Sequence, residues 1–139
     1  MKTRMIILTA AAVMAFGAAA IAEVQTNKLE ESIGRLTSYT YGNTKGVDLR
    51  WVELQIGMAS GDKSVRGRIE QKLIEALAGA TTNDAKQFFC RQLRTIGTAR
   101  AVPQLESMLA DPEISHMAEL TLPRRVRHFT EHSTRYRAR

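Results

Sequence analysis

A chain of 139 residues has room for one domain with a modest core. Its apolar fraction of 44% and charged fraction of 24% are those of a folded soluble domain. Aromatics make up only 6%, and Ala, Leu, Glu and Arg are plentiful, which favours helices over a sheet because unbranched side chains lose little rotamer freedom in a helix. The net charge of +6 is unevenly placed: residues 23–123 hold 12 Lys and Arg against 13 Asp and Glu, while residues 124–139 hold six Arg and one Glu. A nearly neutral body excludes a body-wide nucleic-acid surface, and nucleic acid is not an expected partner.

The first 22 residues read as a secretory signal. Lys2 and Arg4 give the positive start, an uncharged run follows from Met5 to Ala22, and Ala20-Ile21-Ala22 supplies a small-x-small cleavage pattern before Glu23. The alternative, an uncleaved single-span anchor, is disfavoured because the run barely reaches the ~18–20 residues a span needs. No second long apolar run follows, so the processed chain is expected to have no transmembrane span and to be periplasmic or secreted.

Helical segments follow in order. The first is predicted over roughly 26–38, with Leu29, Ile33 and Leu36 at i, i+4, i+7. Residues 39–45 connect it to a second helix over about 47–58, with Leu49, Val52 and Ile56 on one face. Asp62 caps a third helix, in which Val65, Ile69, Leu73 and Leu77 recur every fourth residue, and Gly79 is expected as a left-handed C-terminal cap. Thr82 or Asn83 caps the fourth, which buries Ala85, Phe88, Phe89, Leu93 and Ile96 and closes at Gly97. A fifth helix starts near Ala101 with Pro103 in its first turn, where a missing N–H costs little, and uses Val102, Leu105, Met108 and Leu109. Asp111-Pro112 is read as the start of a sixth, with Ile114, Met117, Ala118 and Leu120 as its stripe. Only a few residues separate the last four helices, which makes consecutive helices antiparallel neighbours. Residues 73–78 and 105–110 also look alike at an offset of 32, a period typical of stacked helix pairs.

The stretches Ala85-Lys86-Gln87-Phe88-Phe89-Cys90-Arg91-Gln92-Leu93, Ile96-Gly97-Thr98, Ala101-Val102-Pro103-Gln104-Leu105, Leu109-Ala110-Asp111 and Ile114-Ser115-His116-Met117-Ala118 resemble exported bacterial HEAT-repeat proteins, and 68–73 fits the same pattern. The likeness covers about 65–118. It implies an all-α, short α-α superhelix over 23–122 and a role in protein–protein contact, and it brings no catalytic residues.

The pattern fails after Ala118. Residues 123–139 read as a basic, disordered tail whose abrupt switch to arginine suggests a truncated or frame-shifted end, which would leave the last repeat without its cap. Arg124, Arg125, Arg127, Arg135, Arg137 and Arg139 would attract an anionic polymer or surface if the tail has a role. Within it, 128–132 matches H-x-x-E-H, a zinc-peptidase pattern. Only seven residues follow, none of them Asp, Glu or His for a third ligand, so the match is read as chance.

No metal, cofactor or catalytic site is expected. The chain has no C-x-x-C-H, no Gly-rich phosphate loop and no G-x-S-x-G, and Cys90 has no evident His partner. The single Cys90, beside Phe88 and Phe89, cannot form an internal disulfide and reads as a small buried hydrophobe. Asp84 with Lys86 or Arg91, and Glu70 with Lys72 or Lys63, read as solvated helix-surface charges. Tyr39, Tyr41 and Trp51 read as packing of the first helix pair. The expected function is a non-catalytic protein-interaction or scaffold module of the cell envelope. In a superhelix the concave face comes mainly from the second helix of each pair, which places Arg91, Gln92 and Arg94 as partner-binding positions. The alternative is electrostatic binding of anionic polymer through the tail.

Overall fold

A computed structural model describes residues 23–122. Among them the chain is all-helical, with no strand and one isolated Thr40–Asn43 bridge. Residues 1–22, read from the sequence as an export signal, and the arginine-rich segment 123–139, including the H-x-x-E-H motif, lie outside the described residues.

Helix α1 covers 23–35 and tightens into a 3-10 turn at Leu36–Ser38. Leu29, Ile33 and Leu36 are buried, as their spacing predicts. The connection that follows turns at Gly42 and Gly46, whose φ values of +82° and +72° lie in the left-handed region that favours glycine. Helix α2 is Leu49–Ala59; Asp48 accepts from Trp51 N at 3.1 Å and fixes its start two residues beyond Val47.

Helix α3, Lys63–Ala78, begins where Asp62 accepts from Ser64 N (2.8 Å) and Val65 N (3.2 Å). Its end differs from expectation. Gly79 has φ −88°, so it is right-handed, and its N–H donates to Glu75 O at 3.0 Å, which closes the last turn without a left-handed residue. Thr82 then caps α4, Asn83–Ile96, by accepting from Ala85 N at 3.1 Å.

A 3-10 turn, Ala99–Ala101, leads into the short α5, Val102–Ser107. The sixth helix starts later than Asp111-Pro112 suggests. Asp111 accepts from Glu113 N at 3.0 Å, as a cap would, but Ile114 turns inward and adopts φ −121°, ψ −10°, outside the helical basin. Helix α6 is therefore Ser115–Thr121. Leu122 is buried in place of Leu120, which is exposed.

Packing centres on α4, which touches α2, α3, α6 and the turn after α1. Helix α3 also contacts α2 and α5, and α5 contacts α6. Phe88 and Phe89 are fully buried, edge to face at 5.6 Å, and Tyr39 meets Phe88 at 6.2 Å. Each such large apolar side chain withdraws surface worth about 1.5–3 kcal/mol from water. Tyr41, by contrast, is 91% exposed and packs against neither helix of the first pair, because the turn at Gly42 points it outward.

Candidate functional site

Position along α4 is set by its apolar stripe. Ala85, Phe88, Phe89, Cys90, Gln92, Leu93 and Ile96 face inward, which leaves Gln87, Arg91 and Arg94 exposed at i, i+4, i+7. Arg91 and Arg94 are thus brought together on the solvent side. Neither lies within ion-pair distance of a carboxylate among the described residues.

Gln92 is not with them. It is 6% exposed, and its Nε2 donates to Glu53 Oε1 of α2 at 3.4 Å. It joins α4 to α2 and is not free to meet a partner. Its place was readable from Phe88, Phe89 and Ile96, which lie three or four residues away on the same face.

Glu70 is the residue that charge pairing by sequence misplaced. It is 1% exposed, not solvated, because it falls on the stripe of Leu73 and Leu77 on α3. Its Oε1 accepts from Thr98 N at 2.5 Å and Thr98 Oγ1 at 2.8 Å, and Arg100 Nη1 stands 4.0 Å from Oε2. Asp84 likewise pairs with neither Lys86 nor Arg91; it accepts from Tyr41 N at 2.9 Å.

Hollows mark the surface of the described residues, and three of them bear on a candidate site. A groove of about 550 Å³ runs beside α3, with Arg68, Lys72 and Arg100 facing Glu30 and Glu75. Arg68 is committed there: it meets Glu23 at 2.9 Å, Glu30 at 2.5 Å and Asn27 at 2.7 Å, and the two carboxylates, Glu23 first, push its pKa further above the usual arginine value. A hollow of about 170 Å³ lies at Met58 between α1, α2 and α3, near the exposed Leu54. A third, about 190 Å³, is lined by Arg94, Gly97, Thr98 and Thr121, with the buried Leu93, Ala101 and Leu105 beneath.

Burial pushes the Cys90 thiol up to about 11, opposed in part by a hydrogen bond with Thr121, so it stays protonated at neutral pH and is a poor nucleophile. No group of three His, Cys, Asp or Glu side chains that could hold a metal occurs among the described residues. No helix among them is long and apolar enough to cross a membrane. Comparison with family models, with curated proteins and with solved structures returns no match.

Proposed function

We propose that this protein is an exported, non-catalytic protein-interaction module built as a short HEAT-like superhelix. Helices α1, α3 and α5 form one row and α2, α4 and α6 the other. The contacts of α4 with α2 and α6, and of α3 with α5, support that stacking. Stacking is the way such pairs hide apolar faces that none can cover alone.

The second row carries the docking face, with Arg91 and Arg94 at its middle. The observation behind this is that both guanidiniums are exposed and have no carboxylate at ion-pair distance among the described residues, three residues apart on the central helix. Like charges at that spacing repel, so the bare surface is electrostatically unfavourable and an incoming anionic group relieves it. Gln92 supports the face from beneath by holding α2 against α4.

Photo-cross-linking in the producing cell tests this. A benzoyl-phenylalanine at Gln87 should give a discrete protein adduct, and the same group at Gln71 or Gln104, on the other row, should not. Equal adducts from both rows, or none from Gln87, would remove the docking face. A second reading rests on the six arginines of 124–139, which suit an anionic polymer. Deleting that segment should abolish retention on heparin if the tail is the binder, and leave the Gln87 adduct intact if the helical face is.

A further inference from the structure

The three hollows differ in what they select. The groove along α3 balances its own charges, since Arg68 is held by Glu23 and Glu30, and Lys72 lies 3.9 Å from Glu75. The ridge of Leu54 and Met58 on α2 is apolar and exposed, with nothing nearby that chooses an occupant. The cavity lined by Arg94 offers a cation with no ion pair among the described residues, beside Gly97, Thr98 and Thr121, over a floor of Leu93, Ala101 and Leu105 that is only 1–2% exposed. One turn away on the same exposed line of α4 stands Arg91.

Spacing narrows the ligand. Residues three apart on a helix carry Cβ atoms about 5–6 Å apart. Alternate residues of an extended chain project to one side about 6.6 Å apart, and flexible arginine stems absorb the difference. We propose, on the docking reading above, that this place receives an extended Glu-x-Glu segment of a protein partner. One carboxylate pairs with Arg91. The other pairs with Arg94 at the cavity, beside Gly97 and Thr98. Aspartate, one methylene shorter, spans the two guanidiniums less well. The hydroxyl of Thr98 is already engaged with Glu70, and that of Thr121 with backbone carbonyls, so Arg94 is the main donor at the rim. Nucleic acid is the less suited ligand, because the described body carries one more acidic than basic side chain.

Fluorescence anisotropy on the protein purified from cells, with fluorescein-labelled Gly-Ser-Glu-Ala-Glu-Ser-Gly as probe, tests the assignment. Saturable binding that weakens with added salt is expected, since exposed charge pairs are screened. Arg91→Gln and Arg94→Gln should each raise Kd about tenfold, the scale of one lost charge-assisted hydrogen bond. Arg94→Lys should lose less, keeping the charge without the bidentate fork. Replacing both probe glutamates by glutamine should abolish binding, and replacing them by aspartate should weaken it. An alternative role for Arg94 is to complement the carbonyl end of α4, which predicts a lower Tm for Arg94→Gln with an unchanged Kd; that result would overturn the proposal. So would the absence of saturation, or a single-stranded DNA oligonucleotide that binds at least as tightly with the same dependence on Arg94. If the probe fails while the Gln87 adduct persists, the Glu-x-Glu assignment falls and the docking face stands; if both fail, both fall.

Discussion

Glu70 accepts two hydrogen bonds from Thr98 through one carboxylate oxygen, from the backbone N–H at 2.5 Å and from the hydroxyl at 2.8 Å. The two residues belong to different helical segments: Glu70 is inside α3, and Thr98 caps the 3-10 turn that opens α5 by accepting from Arg100 N. The pair therefore fixes where the chain restarts after α4, and with it the wall of the cavity below Arg94. Because Glu70 is buried, its removal leaves the two Thr98 donors without their acceptor and a void in the interior. Glu70→Ala should cost about 3 kcal/mol. Glu70→Gln keeps an acceptor oxygen and should cost about 1 kcal/mol. Thermal melts resolve this, since each kcal/mol moves Tm by about 4–8 °C in a domain of this size. An Ala variant within half a kcal/mol of wild type would show that the pair does not tie α3 to α5.

Gly57 and Gly97 should respond to alanine with opposite signs. A Cβ at Gly57 meets nothing within 4 Å, and the position is interior to α2, where glycine is the worse helix former by about 0.5–1 kcal/mol. Gly57→Ala should stabilise by that amount. A Cβ at Gly97 would stand 2.4 Å from Leu93 O, a backbone atom that cannot move without opening the last turn of α4. Its φ of −65° and ψ of 149° suit any residue, so the obstacle is contact and not backbone strain. Gly97→Ala should destabilise by about 1–3 kcal/mol, as overpacking does. Urea titration of the two variants checks both signs, and a Gly97→Ala midpoint at or above that of wild type contradicts so close an approach of the chain to Leu93 at the end of α4.

Asp84 holds the long connection between α1 and α2 onto the start of α4. It accepts from Tyr41 N, alongside bonds from Thr81 N to Thr37 O (2.9 Å) and from Thr82 Oγ1 to Tyr39 O. Asp84→Ala should speed amide exchange at Tyr41 about tenfold, because a single exposed bond of about 1 kcal/mol is what protects it. Exchange at Leu73, in the core of α3, should change much less. Unaltered exchange at Tyr41 would mean that the carboxylate is not its acceptor in solution.

Much of this architecture is legible in the residues, and the exceptions share a cause. Val65, Ile69, Leu73 and Leu77 recur at one helical interval after a capping aspartate, so local chemistry and burial agree on α3. At Ile114 they conflict: Asp111-Pro112 favours an immediate helix, while burial of the isoleucine draws its backbone out of helical geometry. Glu70 and Gln92 were misplaced because polarity was read ahead of position. Both lie on their helix's buried stripe, and each has a polar partner that comes from a distant part of the chain, Thr98 in one case and Glu53 in the other. Such pairings depend on tertiary neighbours and leave no local pattern. Arg91 and Arg94 were legible because an exposed pair needs only the helical period to place it. The cavity beneath Arg94 was not, since its walls come from α4, the 3-10 turn, α5 and α6.

Cys90 gives a prediction in pH. Burial among Phe88, Phe89 and Leu93 disfavours the thiolate, and the folded pKa of about 11 lies above the ordinary 9.0. Below pH 9 the thiol is neutral in both folded and unfolded chains, and its contribution to stability is fully present. Between about 9 and 11 the unfolded chain releases the proton while the folded one retains it, so the unfolded state gains and stability falls. Urea midpoints of wild type should therefore drop faster across that window than those of Cys90→Ala, even though the alanine variant starts lower by the loss of a buried sulfur. Native protein at pH 8 should also react with iodoacetamide far more slowly than urea-unfolded protein, because only the unfolded thiol is both accessible and partly ionised. Parallel pH profiles for the two proteins, or equal labelling rates with and without urea, would show that this thiol is neither buried nor shifted.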